Sequence, residues 1–291
     1  MILNVSMLNA LLLIFAIPIS LLFEGMRRKL MARIQNRIGP PIWQPFYDVL
    51  KLWEKGESDS KANENVFFRI TPILYLVTTF ALFFFVPYPI IGFNVDFILF
   101  IYVLILSGGL YILSGFASNS PYGSIGSMRE TILMVCYEII FAIVIITFVL
   151  YTNIESLLFF NQTFLLLKLP LASLSLFIVA LIEMRITPFD TVEAQTEIIG
   201  SVETEYSGRS LALLELSKIL KFTFFIFLIN MLFFGFKDIL IFFGISLVML
   251  FLFTFLQATT CRYRLDQTFK LLIFVLLLAV IELIRINYLV W

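Results

Sequence analysis

Eight apolar runs, each long enough to cross a bilayer, divide the chain: residues 2–23, 69–91, 97–117, 128–151, 165–186, 211–234, 238–259 and 269–289. A hydrocarbon core about 30 Å thick needs about 20 apolar residues in a helix, and a backbone in lipid must satisfy its hydrogen bonds within its own segment. The pattern predicts an all-α, polytopic membrane protein with about eight transmembrane helices. Hydrophobic residues make up 61% of the 291 and charged residues 14%, with a mean hydropathy of +1.01; soluble domains are only about 45–50% apolar. No basic segment precedes the first run and no A-x-A site follows it, so it is predicted to stay as a helix and not to be removed as a signal peptide.

Charge between the runs sets the expected orientation. The segment FEGMRRKLMARIQNRIGPPIWQPFYDVLKLWEKGESDSKANEN carries Arg27, Arg28, Lys29, Arg33, Arg37, Lys51, Lys55 and Lys61, and TTCRYRLDQTFK adds Arg262, Arg264 and Lys270. The turn VPYPIIGFNVD has no basic residue, and only Lys168, Lys237 and Arg285 fall near the opposite side. Basic loops stay on the cytoplasmic side, so both termini are predicted to lie outside a cell membrane. Gly39, Pro40 and Pro41 break the first basic segment, and Ile42, Phe46, Val49, Leu50 and Trp53 then share one side at helical spacing. That spacing predicts a cytoplasmic amphipathic interfacial helix, with Trp43, Tyr47 and Trp53 at the headgroup level. The expected single membrane domain, 1–291, thus presents a basic hook with its interfacial helix over 24–68 and an acidic loop over 187–210.

Between the fifth and sixth runs, residues 183–221 hold seven acids: Glu183, Asp190, Glu193, Glu197, Glu203, Glu205 and Glu215. An ionised carboxylate in hydrocarbon costs roughly 2.5–3.5 kcal/mol at mid-helix even on a lenient scale, so packing does not explain them. Pro188 suits the first turn of a new helix, on which Glu193 and Glu197 share a face with Asp190 a turn before. Like charges so placed repel and share protons. A solvated loop would explain an average acidic stretch; the apolar flanks and the number of acids here point to a proton or cation path. On the fourth run, Glu138 sits about ten residues in, roughly 15 Å along the axis at 1.5 Å per residue. Arg129 and Glu130 are expected at the cytoplasmic edge, where charges snorkel. Glu215 with Lys218, and Glu282 with Arg285, are spaced three apart to pair on a helix surface.

Other classes are excluded by what the chain lacks. With no histidine and two cysteines, Cys136 and Cys261, it offers neither the usual haem ligand nor four cluster thiolates. A formal net charge of zero leaves no footprint for nucleic acid. No Walker A, dinucleotide fingerprint, nucleophile elbow or HExxH motif occurs. No internal repeat marks two transporter halves. Accordingly no catalytic residue, cofactor ligand or metal ligand is assigned.

Three segments carry a family resemblance. PFD, a glutamate, a second glutamate four residues on, then TEYSG and an apolar helix starting LAL resemble, without a gap from Glu183 to Lys218, the membrane anchor subunit shared by respiratory complex I and the energy-converting (group 4) membrane-bound hydrogenases. RxxxARxQxRxGPP followed by QPxYDxxKL is similar to the same family. So is RETILMVCYEI, where the family's glutamate after tyrosine belongs to a lateral proton path and Glu138 takes that position. Complex I relatives typically carry GPN and extra glycine-rich residues before the glutamine. Here only Ile42 and Trp43 separate Pro41 from Gln44, a departure that resembles the hydrogenase branch and argues against a quinone pocket.

The resemblance implies a non-catalytic membrane subunit of a ferredoxin-linked, hydrogenase-type oxidoreductase or a related sulfane sulfur reductase. Its implied partners are membrane lipid, peripheral hydrogenase-like large and small subunits holding iron–sulfur clusters and a nickel–iron or derived site, and antiporter-like subunits that move protons or sodium ions. It implies that Asp190, Glu193, Glu197, Glu203 and Glu205 form a junction below the redox arm, and that Glu183, Glu138 and Glu215 extend the path. Arg27, Arg28, Lys29, Arg33, Gln35, Arg37, Gln44 and Asp48 would dock the partner. A complex I quinone module and a stand-alone ion transporter are the competing readings.

Overall fold

The structure is a computed structural model that describes residues 13–57, 61–86, 96–152, 165–192, 199–235 and 239–290. Among these residues the chain is helical, with no strand. The helices are α1 (Ala16–Ile34), α2 (Gln44–Glu54), α3 (Val66–Leu82), α4 (Asp96–Ala117), α5 (Pro121–Thr152), α6 (Pro170–Glu183), α7 (Gly208–Phe234), α8 (Ile239–Thr259) and α9 (Leu265–Val290). Single turns of 3-10 helix occupy Lys61–Glu64 and Ser201–Glu203. By length and composition α4, α5 and α8 can each cross a membrane, and α3 and α6 are shorter apolar helices.

α7 forms the centre because from Phe222 on it is apolar nearly all round, the pattern of a helix with no solvent face. Every residue from Ile219 to Phe233 is buried, and α1, α2, α3, α6 and α8 pack against it. Aromatic edges make much of that contact: Phe227 meets Phe23 of α1 at 5.6 Å between ring centroids and Phe242 of α8 at 5.3 Å. Such pairs add to the area they bury because ring edges and faces carry opposite partial charge. Asn230 donates to Phe242 O at 2.7 Å and to Ser246 Oγ at 2.8 Å, tying α7 to α8 where lipid-like surroundings offer no water. α5, α6 and α9 pack together on the other side of the molecule.

Several expected boundaries move. α1 does not stop at residue 23 but runs through the basic segment to Ile34, because MRRKLMARI contains no helix breaker. α5 begins well before the fourth run: the Ser/Gly-rich stretch ahead of Met128 is mostly helix, opened by Pro121, as a residue without an N–H suits a first turn. A Cβ on Gly126 would lie 2.4 Å from that of Ser201, so the glycine lets the acidic segment sit directly on α5. Pro188 does not begin a helix. It follows a cis peptide bond in a turn, its carbonyl accepts from Tyr263 N at 2.9 Å, and Phe189 packs edge-on against the Tyr263 ring. Contacts with the α8–α9 turn thus override the local helix signal through Val192; Glu193 and Glu197 lie outside the described residues.

Gly25 fixes how the hook folds back. The loop before α2 crosses α1 so closely that a Cβ there would stand 1.9 Å from Ile42 O. Gly25→Ala is therefore expected to destabilise the protein by about 1–3 kcal/mol, the usual cost of overpacking against backbone. Gly56→Ala is the control, since its Cβ meets nothing within 4 Å. Equal thermal midpoints for the two variants would refute the close approach.

A charged cavity between the hook and the acidic turn

The middle of α1, the last turn of α6, the turn after it and the first half of α7 line a cavity of about 280 Å³. Its walls include five acids, Glu24, Glu183, Asp190, Glu203 and Glu215, and five bases, Arg27, Arg28, Arg185, Lys218 and Lys221. Opposite charges at this density pair.

The deepest pair joins Glu183 at the end of α6 to Lys221 of α7 at 2.5 Å, with both side chains 2% exposed. Beside it, Arg185 reaches Glu130 of α5 at 2.6 Å, and its guanidinium lies 3.4 Å over the Tyr111 ring. A flat cation on an aromatic face is favourable when both are desolvated. Lys218 binds Glu203, and Asp190 binds Arg262 of the α8–α9 turn. On the hook side Glu24 holds Arg27 at 2.7 Å and Arg28 at 2.8 Å, Arg28 continues to Asp48 of α2, and Arg27 donates to Gln257 of α8 at 2.8 Å. Burial pushes the Glu24 carboxyl up, but the two arginines outweigh it and hold it below the ordinary 4.5.

Glu138 lies beyond this cavity. It is half-buried on α5, about 12 Å further along the axis than Glu130 at 1.5 Å per residue. Gly108 of α4 gives it room, and its Oε1 is buried with no hydrogen bond. The charges of Glu183, Lys221 and Glu130 act on it.

The expected residues fall into two groups. Glu183, Asp190, Glu203 and Glu215 line the cavity, whereas Glu205 is half-buried in the segment before α7. Lys218 pairs with Glu203 and not with Glu215, because the segment before α7 folds over the helix and brings a second acid to it. Glu282 and Arg285 do pair, at 2.6 Å. In the hook, Arg27 and Arg28 turn inward, Gln44 donates to Asp48 at 3.0 Å, and Lys29 is half-buried. Arg33, Gln35 and Arg37 face outward, as do Trp43, Tyr47 and Trp53.

Sequence reasoning missed Glu130, Arg185 and Lys221 as a set. Glu130 is 3% exposed and ion-paired to Arg185, so its charge does not snorkel into solvent within this chain. The available signal was Arg185, a cation closing an apolar run with no acid at helical spacing ahead of it to neutralise it.

Tyr206 was also missed, though TEYSG contains it. Its hydroxyl donates to Ser114 O at 3.0 Å, meets Thr71 Oγ1 at 3.3 Å, and its ring stacks on Phe68 at 4.0 Å. It thus pins the segment before α7 to α3 and α4. Burial pushes the hydroxyl up to about 12 from 10.0. A raised folded-state value favours the protonated form, so its contribution is complete below pH 10 and is lost as pH rises toward 12. Tyr206→Phe is expected to flatten the fall in thermal midpoint across that window, and an unchanged slope would count against this assignment.

This geometry has close counterparts. The profile of the NADH dehydrogenase family matches residues 7–287. NADH-ubiquinone oxidoreductase chain 1 of Hyaloraphidium curvatum is 31% identical over 281 residues, covering 91% of each chain. A NADH-quinone oxidoreductase subunit of Ruthia magnifica is 30% identical over 285 residues, covering 86% of this chain and 80% of that one. In fold, a chain from the structure of the membrane-bound sulfane sulfur reductase, an archaeal respiratory membrane complex, superposes with a TM-score of 0.86 at 24% identity, over 97% of this chain and 99% of the other. The helical fold, the motifs that shape the cavity and these near full-length matches agree: the chain belongs to the NADH dehydrogenase family, as a homologue of the membrane subunit that NADH-quinone and NADH-ubiquinone oxidoreductases share.

Proposed function

We propose that this chain is the membrane anchor and coupling subunit of a hydrogenase-type, ferredoxin-linked membrane oxidoreductase, carrying out no redox chemistry itself. The observation that carries this reading is the cavity: five acids and five bases, all but Glu215 in ion pairs, between a basic hook and an acidic turn. A surface of paired charges converts a change of charge on a docked partner into rearranged pairs and moved protons. It is a poor pocket for a quinone ring, which needs apolar walls, and the short GPPIWQ segment agrees. In this reading the metals of the redox arm belong to its own subunits.

In this reading the arm docks on Arg33, Gln35, Arg37 and the segment from Asp190 to Glu205, with α2 lying in the headgroup layer and the basic loops facing the cytoplasm. The helices complete about eight spans, flanked by antiporter-like subunits. Electron arrival at the arm alters the charge facing Asp190 and Glu203; the Lys218 and Lys221 pairs respond, and Glu183, Glu215 and Glu138 pass the change laterally as proton movement. The same part in a sulfane sulfur reductase is the second reading, favoured by the full-length likeness in fold.

Metal content tests this. The complex purified through a tag on this chain is expected to hold nickel with abundant iron and to evolve hydrogen from reduced ferredoxin. Iron without nickel would replace the hydrogenase reading by the sulfur- or quinone-linked one. An active, ion-moving preparation with neither metal would leave a lone transporter.

A further inference from the structure

We propose, building on the coupling role above, that Tyr111 of α4 is a positioning residue: its ring holds the bases Arg185 and Lys218 in place while their carboxylate partners gain and lose protons. The ring is buried and takes both cations. The Arg185 guanidinium lies 3.4 Å from the ring centroid and the Lys218 ammonium 5.8 Å. Both fall within the reach of a cation–π contact, about 6 Å, and such contacts strengthen where water is excluded. The two bases serve different acids. Arg185 is paired to Glu130 of α5, and Lys218 to Glu203 before α7. One ring thus stands between a pair inside the helix bundle and a pair at the acidic segment. Tyr75 of α3, which lines the charged cavity, packs on that ring at 5.7 Å between centroids and supports its tilt.

The backbone at Arg185 gives independent support. Arg185 N donates to Ile182 O at 3.0 Å and Ile186 N to Leu181 O at 3.3 Å, the paired bonds of a helix that ends in the left-handed conformation, and Arg185 has φ 51. Glycine is the usual residue there, because a Cβ is disfavoured at positive φ. An arginine in that place is retained for its side chain, which Glu130 and the Tyr111 ring both hold. The ring adds what a carboxylate cannot. A protonated Glu130 or Glu203 loses most of its pull on a base, whereas the π face stays negative whatever the acids do. With the bases anchored, a proton arriving on one acid alters the field at its neighbours and leaves the cations where they are. Because both cations face one ring, a change at the Glu203 pair is felt at the Glu130 pair.

The test uses the whole complex in sealed vesicles, with position 111 changed in two ways. Tyr111→Phe keeps the ring face, and a trifluorinated phenylalanine at the same position keeps the shape while fluorine withdraws electron density from that face. Ions moved per electron should stay near wild type in Tyr111→Phe and fall about tenfold with the fluorinated ring, the range of a buried cation–π contact. Electron transfer should be unchanged in both. A ring that only fills space would make the two variants alike, and equal ratios would overturn the proposal. A second measurement does not depend on ion movement: the effects of Glu130→Gln and Glu203→Gln on thermal midpoint should be non-additive with the phenylalanine ring and additive with the fluorinated one. Additivity with both rings would overturn it as well. Wild-type vesicles that move no ions with electrons would sink the coupling role, and the thermal comparison would still decide whether the ring links the two pairs.

Discussion

Replacing Lys221 by methionine is expected to cost about 3–5 kcal/mol, enough to abolish recovery of intact protein at growth temperature. The Lys221 ammonium is 2% exposed and is held at 2.5 Å by Glu183, itself 2% exposed. Removing the cation leaves a carboxylate that is cut off from water and that also faces Glu130. A buried pair contributes little over an apolar pair of the same shape, because desolvating two charges offsets most of their attraction. Glu183→Gln combined with Lys221→Met should therefore recover most of the loss, and the double variant should express near wild-type levels. Comparing thermal midpoints and yields of the two singles and the double decides it. A single variant as stable as the double would mean that water reaches Glu183 and that the pair is not sealed.

The contrast between that pair and its sequence shows what could be read in advance. Apolar runs fix helices because only a helix satisfies its backbone in lipid, so α4, α7 and α8 fall where hydropathy places them, within a few residues. The acids were legible as an anomaly for the same reason: Glu183, Asp190 and Glu203 are too costly to be filler. Their partners were not. Lys221 and Glu183 are far apart in sequence, as are Arg185 and Glu130, and no helical spacing connects them. Local spacing instead suggested Glu215 with Lys218, and the fold gave Lys218 to Glu203. Local rules also failed at Pro188, where a contact with Tyr263 outcompetes the helix start. Arg27 and Arg28 read as outward docking groups, yet Glu24, three and four residues before them on α1, draws both inward.

Glu138→Gln is expected to uncouple the complex, leaving electron transfer to the terminal acceptor in place while ion translocation per turnover falls about 10²-fold. That is the low end of what one positioned proton carrier contributes. The substitution keeps the shape and hydrogen-bonding reach of the side chain but removes the ionisable group. Geometry supports the choice: Oε1 is buried without a hydrogen bond and, unlike Glu183, Asp190, Glu203 and Glu282, the carboxylate makes no ion pair among the described residues, so a structural role would leave an acceptor unused. Its electrostatic neighbours are Glu183, Lys221 and Glu130, the groups that wall the cavity or pair beside it. Rearranging the Lys221 pair therefore changes the field at Glu138 with no intervening motion. Glu282→Gln is the matching control, another buried acid in a helix but ion-paired to Arg285. It should lose some stability and keep the full ion stoichiometry. Normal translocation in Glu138→Gln vesicles would route the path around α5. Equal loss in both variants would show that any buried acid matters to packing and that neither carries protons.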